Sequence, residues 1–288
     1  MLKILHKFVN DILHNFTNHN ILHNFVNSKI LHENVNTYLI TVWDTDCIIL
    51  DKKLFKGTES KCQVACQVLI NKNNGKRSTY EIYTQTQYQL IEVSKQISDK
   101  KSYMSVTKLT GKESEQDILD WRKRVGDEVA DKIMKESADR GTTIHKFCEH
   151  YLGNEEILIP ENKIADYFTF KSMKPELNNI NNIIGLEVPL WSDEYRLKGR
   201  CDCIAEYKGH LTLIDFKTSK KHKKRDWVES YFIQATAYAQ MVNEHTDLKI
   251  NNIALIFGIS NFNVCNVFES KTQNHIKELN RINNEYNK

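Results

Sequence analysis

The chain has 288 residues, 40% apolar and 27% charged, with a formal net charge of only +3. That length can bury one sizeable core, and so small a net charge says nothing about partners. No apolar run approaches the roughly 18 to 20 residues of a membrane span, and no uninterrupted apolar stretch near the start forms a signal peptide.

Residues 4–36 form an internal repeat, "ILHKFVND", "ILHNFTNHN", "ILHNFVNSK", "ILHENVN", with a period of eight and then nine. Nine residues turn a helix by about 900°, so successive units land on opposite sides. An odd period also flips faces in a strand, and the repeat therefore cannot bury one continuous face. Its histidines, His6, His14, His23 and His32, invite a metal-buffering reading that zinc retention after deletion would test. An Asn-rich low-complexity extension, loosely helical or disordered, is the plainer one. A mitochondrial presequence should be Arg-rich, and the first Arg here is Arg77. A cytoplasmic location (host cytoplasm if viral) is the expectation, with a mitochondrial one as the alternative.

Seven cysteines, an odd number, are scattered and partly inside apolar runs, as suits reduced core thiols. Cys62-x-x-x-Cys66 lacks a second closely spaced group, which argues against a metal site. Alternation in "YLITVW", "CIIL" and "CQVACQVLI" predicts two or three short strands between 37 and 70. "NKNNGKRS" (71–78) reads as a loop, so residues 1–78 are expected to be an extension and 79–288 the main domain.

"SVTKL" (105–109) reads as a short extended entry to a helical region. Helix periodicity then runs over 114–152, through Ile118, Leu119, Trp121, Val125, Val129, Ile133 and Met134 to Ile144, Phe147, Cys148, Tyr151 and Leu152. A loop or short helix leads to about 182. Three strand candidates follow, "NIIGLEVPLW", "YRLKGRCDCIAEY" and "HLTLIDFKT", with Lys208-Gly209 as the turn between the last pair. Residues 227–243 are helical in pattern, "INNIALIFGIS" is a buried strand, and the tail reads as a polar helix.

Strand side chains alternate faces, so Asp215 and Lys217 are neighbours on one face of the third strand. Asp202 shares a face with Arg200 and Glu206, and Glu187 with Pro189 and Trp191. Each strand sends an acid to its less apolar face. Carboxylates that converge repel unless a cation neutralises them, and oxygen ligands favour Mg²⁺ or Mn²⁺. Such an ion polarises a phosphodiester and activates water, and Lys217 is placed to orient that water or to stabilise transition-state charge. Taken alone, the short Asp-x-Lys pattern is equally consistent with an exposed edge of ordinary ion pairs.

His145 lies beside an apolar helix stripe, with Glu149 one turn beyond. Trp227, Tyr231, Gln234 and Tyr238 line one side of the later helix. From Lys217 to Arg225 six of nine residues are basic: Lys217, Lys220, Lys221, Lys223, Lys224 and Arg225. That run can track phosphates without reading sequence, while Trp227 and Tyr231 are suited to stacking single-stranded bases. Trp121, Arg122, Lys123 and Arg124 offer an opposite wall.

In order, Arg140-Gly141-x-x-x-His145, Glu187, Gly199-x-x-Asp202, Asp215-Phe216-Lys217-Thr218 and Gln234-x-x-x-Tyr238 resemble the motifs of the PD-(D/E)XK nucleases. The similarity is to the RecB/Cas4-like exonuclease branch, in the subgroup of mitochondrial genome-maintenance exonucleases and their bacteriophage relatives. It covers roughly residues 103 to 270.

The resemblance implies an α/β restriction-endonuclease-like core, a mixed central sheet flanked by helices, behind a helical N-terminal wall. It implies that His145, Asp202, Asp215 and the Phe216 carbonyl bind one or two Mg²⁺ or Mn²⁺ ions. Lys217 would be the catalytic lysine, Glu187 an auxiliary acid, and Gln234 and Tyr238 a buttress that touches DNA, with Arg140 beside them. Cys201 stands where the family's name has Pro. With no cysteine group after Cys265, no iron–sulfur cluster is expected.

The function implied is metal-dependent exonucleolytic cleavage of DNA, on single-stranded ends or flaps, in replication, repair or recombination. A structure-selective endonuclease or duplex-end-resecting exonuclease is the rival within enzymes. An inactive DNA-binding module on the same fold is the rival from another class.

Overall fold

A computed structural model of the chain describes residues 36–43, 49–57 and 79–286. The His/Asn repeat, the run at 62–70 with Cys62 and Cys66, and the loop at 71–78 lie outside the described residues. The chain divides into two compact units, residues 1–92 and 93–288.

In the first unit β1 (Asn36–Trp43) is the centre of an antiparallel sheet, between β2 (Ile49–Gly57) and β3 (Thr79–Thr84). Tyr38 stands opposite both Phe55 and Thr84. The strand expected at "YLITVW" is present, while β3 was not anticipated. Helix α1 (Gln85–Lys95) follows.

The second unit opens on β4 (Met104–Ser105), a strand of two residues. Its successors Val106–Gly111 are helix α2, not extended, because the Ser105 hydroxyl caps the Lys108 N–H. The single helical stretch expected over 114–152 is two helices, α3 (Glu115–Val125) and α4 (Asp127–Leu152). Gly126 divides them at φ +85°, a conformation that side chains avoid. The apolar stripe also splits in character. Ile118, Leu119, Val129 and Met134 are exposed, whereas Ile144, Phe147, Cys148 and Leu152 are buried. Periodicity marks which residues share a face, and only the C-terminal half of α4 has a sheet to cover.

Helix α5 (Ile164–Leu177) fills the region read as loop or short helix. The three strand candidates are β5 (Ile180–Ser192), β6 (Leu197–Tyr207) and β7 (His210–Ser219). The β6–β7 turn falls at Lys208-Gly209 with φ of +51° and +82°, the geometry a two-residue hairpin needs to match strand twist. Helix α6 (Glu229–His245) and strand β8 (Asn252–Ile259) come next, in the expected places. The tail holds an unanticipated edge strand, β9 (Val264–Lys271), before helix α7 (Ile276–Tyr286).

Strands β4 to β9 form one mixed sheet: β4 runs parallel to β6 and β7 to β8, and the other neighbours are antiparallel. Helices α4 and α5 cover one face, where Ile144, Phe147, Phe170 and Met173 meet Cys203, Ile214, Phe216 and Ile256. Each such apolar side chain contributes roughly 1.5–3 kcal/mol. Helix α6 lies on the other face against β5, β7 and β8. Its run of Ala235, Ala237 and Ala239, all buried, favours helix and permits close approach to the strands. The architecture is therefore the mixed sheet between helical layers that the motifs implied. Among the described residues no helix is long and apolar enough to cross a membrane.

Candidate active site at a fork between strands

Strand β6 pairs with β5 along one edge from Leu197 to Tyr207. Its other edge is shared. Cys203–Tyr207 pair with β7, whereas Leu197 and Lys198 pair with β4. Between those ladders the backbone of residues 199–202 leaves β7, and the two strands fork. An extension of the β6–β7 register would set Asp202 opposite Asp215. Instead Asp202 Oδ2 accepts the Phe216 N–H at 2.7 Å. A side chain thus replaces the next rung of the ladder, satisfying a backbone donor that the fork would orphan.

The other oxygen of Asp202 lies 3.5 Å from His145 Nδ1. His145 reaches the fork from α4, packed edge-on to the Phe216 ring at 6.2 Å between centroids. Glu187 completes the group: one ligand atom each from His145, Glu187 and Asp202 lies within 4.8 Å of the others. Glu187 stands at φ +50°, unusual for glutamate in a strand, and backbone strain of this kind clusters at functional sites. Arg200, diagonally across β6, sits 3.8 Å from its carboxylate. Sequence reasoning missed Arg200, although cross-strand diagonal pairs of opposite charge are a known signal.

Asp215 is almost wholly buried and pairs with the Lys217 ammonium. Asp215 lies outside the His145–Glu187–Asp202 group but bears on its charge. Burial pushes the Asp215 carboxyl up to about 6, with Lys217 opposing and Asp202 adding to the rise. Glu187 is raised to about 7, by burial and then by the Asp202 charge. Burial also works against charge on His145, but Asp202 overrides it and lifts the imidazole to about 9. In return His145 holds Asp202 below the usual carboxylate range despite burial. Lys217 is buried too, and Asp215 nonetheless keeps it above the ordinary lysine value. Three acids, one imidazole and one ammonium therefore share a largely buried site and bear on one another's charge.

An imidazole nitrogen and two carboxylates at mutual ligand distance, beside the buried Asp215 carboxylate, fit a divalent cation. Such an ion would offset the burial and mutual repulsion that lift Glu187 to about 7 and Asp215 to about 6.

Behind the fork, Tyr238 is buried and Gln234 Nε2 reaches its hydroxyl at 3.5 Å. Gly199 explains the fit, because a Cβ there would stand 2.7 Å from the Tyr238 ring. The line from Trp227 to Tyr238 runs from solvent to core: Trp227 is exposed, Tyr231 half-buried, Gln234 and Tyr238 buried. Lys217 lies 5.3 Å from the Tyr231 ring. Arg140 lies 3.8 Å from Asp166 of α5. Lys220, Lys221 and Lys224 are exposed and Lys223 half-buried. Lys224 lies over the Trp227 ring at 5.4 Å. Arg225 is engaged with Phe232 at 4.0 Å and with the Glu269 carbonyl at 3.2 Å.

A forked mixed sheet carrying Asp, Asp-x-Lys and an acid on three adjacent strands, with a histidine from a flanking helix, defines a class. The profile of the PD-(D/E)XK nuclease superfamily matches residues 123–273, over half of the chain, and the protein belongs to that superfamily. It is similar to mitochondrial genome maintenance exonuclease 1 of Homo sapiens, 29% identical over 136 residues, which are 44% of this chain and 39% of that protein. The Mus musculus protein of the same name is 31% identical over 106 residues, 36% of this chain and 31% of its own length. The match thus spans well under half of either relative.

Proposed function

We propose that the protein is a metal-dependent DNA exonuclease that hydrolyses phosphodiesters at single-stranded ends or flaps during replication, repair or recombination. The observation that carries this reading is the fork itself, which sets His145, Glu187 and Asp202 at ligand distance beside the Asp215–Lys217 pair. Membership of a nuclease superfamily and similarity to proteins named exonuclease support it.

In this reading His145, Asp202, Asp215 and the Phe216 carbonyl hold the cation, with Glu187 as auxiliary acid. Mg²⁺ or Mn²⁺, when bound, supplies the charge that polarises the phosphodiester and makes a water molecule acidic. Lys217 is held protonated by Asp215, so it serves as a fixed positive charge rather than as a base. It steadies the negative charge that develops on phosphate oxygens as water attacks. One P–O bond forms to water and another breaks to release the nucleotide, with no covalent enzyme intermediate. Gln234 and Tyr238 brace β6 behind Asp202. Lys220, Lys221, Lys223 and Lys224 track phosphates, and Trp227 and Tyr231 stack bases. We assign the nuclease domain to the unit 93–288 and treat what precedes it, β3 included, as an extension. We take the location to be cytoplasmic, and the relatives' name favours the mitochondrial alternative.

The test is a time course on oligonucleotides labelled at either end, as single strand, duplex or flap, with and without Mg²⁺. Wild type should release end label from single strands or flaps only with the ion. Lys217→Ala should lose about a hundredfold or more in rate while still binding DNA. Internal cuts would favour an endonuclease, duplex-end resection a recombination exonuclease. Asp215→Ala as active as wild type would remove the mechanism.

A further inference from the structure

Outside the fork, a second polar chain crosses the opposite end of the basic loop. His275 Nδ1 meets Glu229 Oε1 at 2.5 Å, and its Nε2 lies 2.8 Å from Ser270 Oγ. Asn274 Nδ2 donates to the same hydroxyl at 3.3 Å. The order Ser–His–Glu is that of a nucleophilic relay, but His275 is only 3% exposed. Its ring stacks on Phe232, 4.8 Å between centroids and 4° between planes. A sealed imidazole cannot take a proton from a serine attacking a substrate. It can, however, hold three segments together.

Those segments are the first turn of α6 (Glu229, Phe232), the end of β9 (Ser270) and the start of α7 (His275). Phe232 is also the ring under the Arg225 guanidinium, at 4.0 Å, and Arg225 donates to the Glu269 carbonyl at 3.2 Å. The basic loop thus leaves the catalytic strand at Ser219 and ends on a fixed point. Arg225 is spent on that anchorage. The ammonium groups of Lys220, Lys221 and Lys223 enter no ion pair among the described residues, so they remain available for phosphate.

We propose that His275 is a positioning residue. Bridging Glu229 and Ser270 against Phe232, it clamps the far end of loop 220–228 so that the lysines face DNA, with Arg225 as anchor rather than phosphate ligand. This rests on the loop being the DNA-binding surface.

The test compares His275→Phe, His275→Asn, Glu229→Ala and Arg225→Ala in the full-length protein, with Lys220→Gln/Lys221→Gln as control. Amide hydrogen exchange of residues 220–228 without DNA reports the clamp directly, and KM and kcat on an oligothymidylate report its effect. His275→Phe keeps the stack but loses both polar partners, and should speed exchange in the loop and raise KM severalfold at unchanged kcat. His275→Asn retains a donor for Glu229 and should recover most of both. Glu229, half exposed, provides the same test should a change at buried His275 impair folding. Arg225→Ala should loosen the loop, whereas the Lys220/Lys221 pair should weaken DNA binding with exchange unchanged. Loop exchange identical to wild type in all four variants would overturn the clamp. So would labelling of Ser270 by a fluorophosphonate, which would make it a nucleophile. Faster exchange with unmoved KM would overturn the role toward DNA. If the lysine pair also leaves KM unmoved, the fault lies with the reading of the loop as a DNA surface.

Discussion

The two ends of the β6–β7 pair obey different rules. At the hairpin end Cys203–Tyr207 keep an uninterrupted register to His210–Ile214, closed by a turn whose backbone suits strand twist. At the fork the same strands separate, a carboxylate takes over a backbone hydrogen bond, and Glu187 on the neighbouring strand adopts a left-handed conformation. Regular pairing leaves every backbone group satisfied and no room for an ion. Breaking it costs ladder hydrogen bonds and frees the space in which acids from adjacent strands can meet.

The largest expected difference between the ends is between Asp202→Ala and Glu206→Ala. Asp202→Ala removes a charge of the site and leaves the Phe216 N–H without its acceptor, at a cost of about 1–3 kcal/mol. Hydrolysis should fall below detection and the urea midpoint should drop. Among the described residues Glu206 accepts from Asn182 near the hairpin, and Glu206→Ala should leave turnover unchanged and stability within about 0.5 kcal/mol.

Next comes pH. Without a cation, His145 at about 9, Glu187 at about 7 and Asp215 at about 6 all bind protons more tightly folded than unfolded. The folded state therefore holds more protons than the unfolded one between the ordinary carboxylate range and about pH 9. Stability from these groups is present at the acid end and lost as pH rises. The apo-protein should melt at progressively lower temperature toward pH 9, and Mg²⁺ or Mn²⁺ should reverse the trend. Cation binding must displace the His145 proton, so affinity should strengthen toward pH 9, with proton release seen by calorimetry in buffers of differing ionisation enthalpy. A pH-independent affinity would mean that His145 is not a ligand.

The smallest contrast compares glycines. Gly209→Ala meets no neighbour but forces φ +82° on a side chain, and should cost about 1 kcal/mol with activity intact. At Gly199 the obstacle is instead the Tyr238 ring. Gly199→Ala should cost about 1–3 kcal/mol and lower kcat as well, because it displaces the residue behind Asp202.

The hairpin end was readable from the amino acids: alternation gave β5 to β7, and Lys208-Gly209 gave the turn. Helix α6 and strand β8 were equally plain, being long and consistently apolar. Strand β9 was not, because an edge strand with mixed burial carries little alternation. Ile118, Leu119, Val129 and Met134 follow the helical period yet are exposed, since periodicity reports a face and not what covers it. At the fork the residue types were legible and the geometry was not. No local pattern announces that Asp202 will bond to Phe216, or that Glu187 will invert its φ. Both follow from the strands' separation, a tertiary event. Arg140, grouped with the DNA-contacting residues from its motif, lies 3.8 Å from Asp166 on α5.

The Lys208-Gly209 turn has a practical consequence. It closes the end of the hairpin remote from the acids, Gly209 has nothing within 4 Å of the place a Cβ would occupy, and both flanking strands are fully paired up to it. A reporter peptide or fluorophore spliced between those two residues would ride on a stiff stem, away from the fork. It would allow single molecules to be watched during the proposed shortening of a strand.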